Sequence, residues 1–317
     1  MREKGTDRLQ VVILTVVDNA GVSYRIKEAV ELYSDKYKVT QIQARRHIHN
    51  HPTDIVMMEA GVIGTYKAQS LVTNADLLHF KGDEADFYKP REAMHLSLPK
   101  DIPILHSVEG TLWRDATHPV AQRDMYDTPY KYVITHNLLD HDDTGEWKYI
   151  PQPFDCDNSP YRWKWPKKGK PIIAHSPTNR DLKGTDIILK VLEDLDVEVV
   201  LIENVPVEES IQMKKDATIF IDSICIGGYG VSAQEAMQYG IPSIGGYGYK
   251  ESGVIGLDKL MDYSCLYNKL KELLNDPQKL EEISKDTYKR VKEHHGYKAT
   301  GEKWSKLYDE VLSNSSS

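Results

Sequence analysis

Two successive series of strand-like and helix-like segments, separated by a proline-rich stretch, limit the possible folds of this chain most strongly. In each series, short apolar runs of strand length alternate with amphipathic runs of helical periodicity. The strand-like runs are residues 9–17, 37–44, 76–80, 102–108 and 131–137 in the first series, and 171–177, 197–203, 217–224 and 241–246 in the second. Strands that are separated by helices pair in parallel, so the sequence predicts two doubly wound α/β units that face a cleft.

The stretch between the two series, residues 150–171, carries five prolines and a cluster of lysines, and it has neither a strand nor a helix period. This composition is typical of a linker. We therefore expect an N-terminal domain at 1–152, a linker at 153–170 and a C-terminal domain at 171–297. Ligands of parallel sheets bind at the carboxyl ends of the strands, so the loops after those strands are where a functional site is expected.

The composition is that of an ordinary soluble domain, with 40% hydrophobic and 28% charged residues. No apolar run approaches the roughly 20 residues that a membrane span needs, and we expect no signal peptide, because the first strand begins close to residue 1. The cysteines, Cys156, Cys225 and Cys265, are far apart, which argues against a disulfide framework and a zinc site. The net charge of -8 disfavours a dedicated nucleic-acid binder. We expect a cytoplasmic protein, monomeric or homodimeric.

Residues 227–246, GGYGVSAQEAMQYGIPSIGG, follow a strand-like run and lead into a helix. Gly228, Gly230 and Ala233 match the G-x-G-x-x-A pattern of a dinucleotide-binding turn, but this turn follows the third strand of its series, and the next strand ends without an acid to hold a ribose. The pattern does indicate an anion site, because glycine-rich backbone at a helix N-terminus presents free N–H groups. Glu235 in this helix is either a surface carboxylate or a ligand of ribose hydroxyls.

The loop HSPTNRDLKGTD follows the first strand of the same series. Arg180 and Lys183 lie at the carboxyl end of that strand, and cations at this position suit a diphosphate. The alternative is a helix cap with solvated charges, because Thr178, Asn179 or Thr185 can accept a hydrogen bond from a first helical turn.

The two loops and the strands around them resemble a known family. The order HSPTNRDLKGTDIILK, VEVVLIENVPVEESIQMKKDATIFID and GGYGVSAQEAMQYGIPSI, over about residues 170–245, resembles the donor-binding domain of GT-B-fold glycosyltransferases of the retaining, family-4 type. The first series is similar to that family more loosely, through VVDNAGVSYRIKEAVELY, IPILHSVEGTLWR and KYVITHNLLD. The resemblance implies two Rossmann-like domains, the first of them for the acceptor, and a last helix at 298–317 that returns to the first domain.

The resemblance also implies roles for individual residues. Lys183 would hold the donor diphosphate with help from Arg180 and Asn179, and the carboxylate of Glu235 would hold the ribose. The other donor-binding residues that it implies are Gly21 in the glycine loop of the first domain, Val205 beside the base, and the phosphate-cradling backbone of Tyr229, Gly230, Val231 and Ser232.

The second domain departs from the family pattern at two positions. Gly227 lies where the family has a glutamate that contacts the donor sugar, and Asp222 is the nearest acid that can substitute for it. Thr178 lies where an arginine is usual. Thr178 is therefore a donor-binding candidate there, and Arg180 is a catalytic candidate that can replace the missing charge.

The first domain departs from the pattern at one motif. Where the family often has H-G-[ST]-x-x-R, this chain has E-G-T-L-W-R, with Glu109 in place of the histidine and His106 three residues earlier. Either side chain is a candidate to face the anomeric carbon, and a structural role is the alternative for both.

The sequence therefore predicts a glycosyltransferase that takes a sugar from a UDP- or GDP-sugar donor. Retention of configuration is implied by the resemblance. No cofactor or metal is expected, because Lys183, Arg180 and a helix N-terminus supply positive charge to the leaving group. A sugar-nucleotide epimerase of the same fold and a non-catalytic nucleotide-sugar or glycan binder are the alternatives. The acceptor stays open between a glycan, a lipid-linked sugar, a protein and a modified DNA base.

Overall fold

The structure is a computed structural model of the 317-residue chain. It describes residues 8–18, 20–47, 50–81, 96–108, 130–134, 145–225, 229–246 and 253–315. The chain divides into two compact units: unit 1 comprises Met1–Pro153 and Tyr297–Ser317, and unit 2 comprises Phe154–Gly296.

Each unit is built on a parallel β-sheet. The strands of unit 1 are β1 (Leu9–Thr15), β2 (Tyr37–Gln43), β3 (Ile55–Val56), β4 (Leu77–Lys81), β5 (Ile104–Val108), β6 (Lys131–Val133) and β7 (Lys148–Tyr149), in the order β3-β2-β1-β4-β5-β6-β7. The strands of unit 2 are β8 (Ile172–His175), β9 (Glu198–Leu201), β10 (Ile219–Ile221) and β11 (Ser243–Ile244), in the order β11-β10-β8-β9. The predicted α/β class is confirmed. Strands β3 and β7 lie outside the strand-like runs of the sequence, because two-residue strands are too short to show a period.

Helices occupy the connections between these strands and the C-terminal part of the chain. In chain order they are α1 (Val22–Tyr33), α2 (Gly61–Thr73), α3 (Arg180–Lys183), α4 (Thr185–Glu193), α5 (Val207–Lys215), α6 (Val231–Met237), α7 (Tyr263–Leu274), α8 (Pro277–His295) and α9 (Tyr297–Asn314). Within the part of the chain that the structure describes, none of the helices combines the length and the apolar character required to cross a bilayer.

The C-terminal helix α9 packs against α1 in unit 1. Gly301 permits this close approach, because a Cβ atom at that position would lie 2.2 Å from the carbonyl oxygen of Ala29. Trp304 and Tyr308 are fully buried on the same helix, and the Trp304 indole donates to the carbonyl oxygen of Pro151 at 3.2 Å. The chain therefore returns to its N-terminal unit at its last helix, as the resemblance implies.

Residues 154–170, which are all but the first residue of the predicted linker 153–170, pack onto unit 2. Phe154 and Trp163 lie in its hydrophobic core, and the Trp163 indole donates to the carbonyl oxygen of Thr218 at 2.8 Å. The prolines remove any regular period, but the aromatic side chains between them are large and apolar enough to be buried. The segment is therefore a packed part of the unit and not a free connection.

Candidate functional site

The predicted donor-site residues of unit 2 lie around the carboxyl edge of its sheet, where β8, β9 and β10 end. His175 at the end of β8 joins neighbouring elements there. Its ring lies 2.8 Å from the carbonyl oxygen of Ile221 and 2.9 Å from the Thr185 hydroxyl, so it links β8 to the end of β10 and to the start of α4. Burial lowers the pKa of His175. The neutral ring therefore holds together the strand ends from which the loops after β8 and β10 begin.

The basic loop after β8 is shaped by a cap and a glycine. The Asn179 side chain accepts a hydrogen bond from the Leu182 N–H at 3.0 Å and so caps α3, while Thr178 is exposed. Gly184 has φ +72°, and a Cβ atom there would lie 2.6 Å from the Ile224 side chain. This left-handed turn directly follows Lys183 and needs glycine for both reasons. Asn179 therefore caps α3, and the turn at Gly184 sets the position of Lys183 at the end of that helix.

Lys183 and the glycine turn are brought together by a buried carboxylate. The Lys183 ammonium donates to Asp222 Oδ1 at 2.5 Å, and the Gly230 N–H donates to the other Asp222 oxygen. Asp222 is 1% exposed, whereas the Lys183 side chain is 17% exposed. Burial works to raise the pKa of Asp222, but the Lys183 charge and the two hydrogen bonds outweigh it and hold that pKa below its ordinary value. The two loops that the sequence analysis selected thus form one charged cluster.

The cluster lies against the start of α6. Gly230 is the N-cap of α6 and has no side chain to cap its first turn, which begins at Val231 and Ser232. Backbone N–H groups and the positive end of the helix dipole favour an anion at such a position. Tyr229, the residue before the cap, is buried, and its hydroxyl lies 3.3 Å from Nε2 of His295. Gly227 and Gly228 lie outside the described residues, so the departure at Gly227 is not tested.

Arg180 points to a different partner. Its guanidinium donates to both oxygens of Glu203, at 2.9 and 2.7 Å, and these hydrogen bonds hold the pKa of Glu203 below its ordinary value. Glu203 follows β9, so the pair joins the loops after β8 and β9. The next residues along the chain are Asn204, with φ +54°, and the half-buried Val205. Arg180 therefore has a partner of its own at this edge, and its predicted diphosphate contact stays a prediction.

Glu235 is a buried carboxylate that has a buried lysine as its partner. It is buried within α6, and its Oε2 atom accepts a hydrogen bond from the equally buried Lys214 ammonium at 2.7 Å. The Lys214 ammonium also lies 5.7 Å from the centre of the Phe220 ring. The alternative of a solvated surface carboxylate is wrong. Sequence reasoning missed Lys214, because it lies in the polar segment QMKKD and nothing in that pattern distinguishes a buried lysine from an exposed one.

In unit 1, a second buried carboxylate occupies the N-terminus of α1. Asp18 accepts hydrogen bonds from the Ser23 and Tyr24 N–H groups, each at 3.3 Å, and from Gln41 Nε2 at 2.9 Å. The Lys81 ammonium donates to it at 2.9 Å, and both side chains of this pair are at most 1% exposed. Burial works to raise the pKa of Asp18, and the Lys81 charge and hydrogen bond reverse that effect, so the pKa is lowered. The chain's own carboxylate thus fills the anion position of α1.

The remaining unit 1 candidates have local structural explanations. Gly21 has φ +66°, and a Cβ atom there would lie 2.5 Å from the His51 ring, so the turn requires glycine without any ligand. His106 is buried in the middle of β5, and its ring packs edge-to-face on Trp147 with centroids 5.1 Å apart. Glu109 lies outside the described residues. The predicted roles of Gly21, His106 and Glu109 in ligand contact stay predictions.

No protein-family profile matches the sequence, and no curated protein is similar to it. Solved structures match it over nearly its whole length. Sucrose-phosphate synthase from Thermosynechococcus elongatus is 14% identical, with 97% of this chain and 100% of that chain covered at a TM-score of 0.67. Anabaena HepE, solved in complex with UDP and glucose, is 12% identical, with 95% and 100% covered at a TM-score of 0.68.

A third similar structure, from Listeria monocytogenes, is a protein assigned as a UDP-N-acetylglucosamine 2-epimerase. It is 12% identical, with 97% of each chain covered at a TM-score of 0.59. At these identities the likeness concerns the fold, and the predicted α/β fold with two parallel sheets is confirmed. The chain has the GT-B fold of the glycosyltransferases that are its structural neighbours.

Proposed function

We propose that the chain is a glycosyltransferase that moves a sugar from a UDP- or GDP-sugar to an acceptor. The observation that carries this proposal is the cluster of Lys183, Asp222 and Gly230 at the carboxyl edge of the unit 2 sheet. It combines a partly exposed ammonium with an uncapped helix start, and this combination suits a diphosphate. The GT-B fold that the chain shares with glycosyltransferases supports the same function.

Lys183 would act on the leaving group. As the bond between the anomeric carbon and the diphosphate oxygen breaks, negative charge grows on the nucleoside diphosphate, and a fixed ammonium stabilises that charge. An acceptor hydroxyl oxygen forms the new bond to the anomeric carbon on the same face, and its proton goes to the departing phosphate oxygen. This same-face route retains the configuration. Lys183 and the α6 N-terminus supply positive charge without a metal ion, so we propose a metal-independent reaction.

Asp222 would act through its two partners and not on the sugar. Both of its oxygens are engaged, one by the Lys183 ammonium and one by the Gly230 N–H, and the side chain is almost fully buried. An ammonium has three N–H donors, so Lys183 keeps donors for a ligand while Asp222 fixes its position. We therefore assign Asp222 as a positioning residue, in place of the sugar contact expected from its sequence position.

Glu235 is the proposed ribose ligand. Lys214 holds its Oε2 atom at 2.7 Å, which fixes the carboxylate at the second turn of α6. A buried, hydrogen-bonded carboxylate favours a ligand that has the two ribose hydroxyls over one that lacks them. The reason is that a buried group which loses a hydrogen bond costs free energy. Lys214 would thus orient Glu235 as Asp222 orients Lys183.

The direct test is to incubate the protein with a panel of UDP- and GDP-sugars, with and without a metal chelator, and to measure free nucleoside diphosphate. We expect release from one donor class that is unaffected by the chelator. The Lys183→Ala variant should lose at least about tenfold in this rate. The matched control is Lys168→Ala, since Lys168 is an exposed lysine of the same unit. Equal rates in both variants would contradict the role assigned to Lys183.

The same incubation separates the alternatives. A sugar-nucleotide epimerase, the activity to which the Listeria monocytogenes structure is assigned, would convert the donor sugar into an isomer. A non-catalytic binder would raise the melting temperature in the presence of the donor and leave it unchanged chemically. Either outcome would contradict the proposed transfer.

A further inference from the structure

An exposed apolar surface of unit 1 is not explained by the proposed function. It lies where α2 begins and consists of Met58, Val62, Ile63 and Tyr66, which are between 73% and 85% exposed. The three helical members lie at positions i, i+1 and i+4, so they project from the same side of the first two turns. Helix faces that point to water are ordinarily polar, and a large apolar patch marks a surface that binds something. We call these four side chains the apolar tip.

The apolar tip is distinct from the side of α2 that packs on the protein. Ala68 and Val72 are buried in a hydrophobic core of unit 1 that also contains Ile55. Further along α2, the outward positions become polar, and the Gln69 side chain exchanges two hydrogen bonds with the Ser97 backbone. The helix therefore has its own buried side, and the apolar tip is a second apolar surface.

The position of the apolar tip favours a ligand-facing role. It begins two residues after Val56, the last residue of β3, and so lies at the carboxyl edge of the unit 1 sheet. This is the edge at which parallel sheets bind their ligands. The buried pair of Asp18 and Lys81 lies at the ends of β1 and β4 on the same edge.

Cationic side chains accompany the apolar tip. Arg45 and Lys67 are exposed, and neither forms an ion pair with a residue in the described ranges. Arg46 and Lys67 line a cavity of about 290 Å³ beside the first turns of α2. Glu59 lines the same cavity, and both of its oxygens accept from Arg46 at 2.9 Å. When Asp54 in the cavity wall and its partner Lys27 are included, four cations against two paired carboxylates make this surface locally positive, although the whole chain has a net charge of -8.

The wall of the cavity also includes a hydroxyl group that can form further hydrogen bonds. Thr53 lines it, and the buried Thr53 hydroxyl has no hydrogen-bond partner among the described residues. Buried hydroxyls are ordinarily bonded, so a polar ligand in the cavity would satisfy this group. Asp54, which also lines the cavity, is paired with Lys27 at 2.5 Å.

We propose that the apolar tip docks on an anionic membrane surface, with its apolar side chains among the acyl chains and a lipid headgroup at the cavity of Arg46 and Lys67. A projecting apolar turn suits a soft lipid interface, and tyrosine is favoured at the boundary between headgroups and acyl chains. Basic residues beside it are attracted to anionic lipids. One consequence rests on the proposed function: a lipid-linked sugar becomes the favoured acceptor.

Co-sedimentation of the full-length protein with vesicles tests the proposal. Vesicles of phosphatidylcholine alone are compared with equimolar phosphatidylcholine and phosphatidylglycerol. We expect the protein to sediment with the mixed vesicles, and less so at high salt. The double variant Ile63→Ser with Tyr66→Ser should bind at least about tenfold more weakly, since it removes two inserted apolar side chains. The Lys67→Glu variant should lose binding to the mixed vesicles selectively.

The matched control is Leu32→Ser, because Leu32 is an apolar residue of α1 that is 68% exposed outside the apolar tip. It should bind vesicles as the unchanged protein does. No sedimentation with mixed vesicles, or equal loss in the control and the double variant, would overturn the proposal. So would a dimer in the absence of vesicles that only the double variant disrupts, because a second copy would then be the partner. UDP binding by the double variant is also measured, without vesicles, so that the two proposals can be tested separately. Loss of UDP binding bears on the proposed function, whereas loss of vesicle binding bears on the apolar tip.

Discussion

Lys81 in unit 1 and Lys183 in unit 2 each donate a hydrogen bond to a buried aspartate at the carboxyl edge of a parallel sheet. Each aspartate also accepts from the backbone at a helix N-terminus, Asp18 from two N–H groups and Asp222 from one. The two pairs differ in access to water. Lys81 is fully buried with Asp18, whereas the Lys183 side chain keeps 17% of its surface exposed.

This difference separates a structural pair from a binding pair. An ammonium that is buried together with its partner cannot be reached by a ligand, so the pair in unit 1 stabilises the loop after β1. An ammonium that is fixed on one side and open on the other can bind an anion at little cost in conformational entropy. The same arrangement of residue types therefore serves stability in one unit and, we propose, a diphosphate in the other.

The comparison predicts its largest effect in unit 1. Replacement of Lys81 by Met leaves the Asp18 carboxylate buried without its counter-charge, and the free energy of unfolding should fall by about 3–5 kcal/mol. Urea denaturation measures this change. The additional replacement Asp18→Asn should recover part of the loss, since it removes the uncompensated charge. A decrease in the free energy of unfolding of less than about 1 kcal/mol would contradict the burial assigned to the pair of Lys81 and Asp18.

A second effect concerns the surroundings of Lys81. His79 is buried between the Tyr308 hydroxyl at 3.1 Å and the Ser107 hydroxyl at 2.7 Å. Burial, aided by the Lys81 charge, lowers the pKa of His79 to about 3, from its ordinary value of 6.5. Between these values the unfolded chain binds a proton that the folded chain does not. Stability should therefore fall by about 1.4 kcal/mol for each pH unit below 6.5.

Denaturation at pH 7 and at pH 5 checks this slope in the unchanged protein and in the His79→Gln variant, which has no proton to bind. The slope should be smaller in the variant than in a control, His294→Gln, in which a half-buried histidine of α8 is replaced and His79 is kept. An identical slope in all three proteins would contradict the closed environment assigned to His79.

The smallest predicted effect concerns the open pair. The Asp222→Asn variant should bind UDP or GDP about tenfold more weakly, or about 1.4 kcal/mol, because a neutral amide holds the ammonium less firmly. If Asp222 acts through Lys183, the same substitution should have no further effect on affinity in a Lys183→Ala background. Calorimetry of the four proteins completes this cycle. Tighter binding by Asp222→Asn, or additive losses, would contradict the positioning role.

The sequence was sufficient for the fold and for the loops of the candidate site, but not for how their residues pair. The alternation of apolar runs and amphipathic segments predicts both parallel sheets, because both periods are local. The link between Lys183 and Asp222 joins residues 39 positions apart, and the pair of Lys214 and Glu235 joins two helices. Such pairs depend on which polar residues the fold buries, and no local period encodes that.

Residues 154–170 show the opposite limitation. Proline and lysine content predicts a linker there, yet Phe154 and Trp163 lie in the core of unit 2. Large aromatic side chains indicate burial, but a buried irregular segment has no repeating pattern by which it could be recognised. In unit 1, β3 and β7 were missed because two residues cannot display a period.

The role of Lys183 in binding the donor diphosphate can be measured by calorimetric titration of the unchanged chain and of Lys183→Ala with UDP and with GDP. We expect one of the two nucleotides to bind the unchanged protein in the presence of a chelator, and Lys183→Ala to bind it at least about tenfold more weakly while its unfolding transition persists. Absence of binding to either nucleotide, or undiminished binding by a folded Lys183→Ala variant, would contradict it.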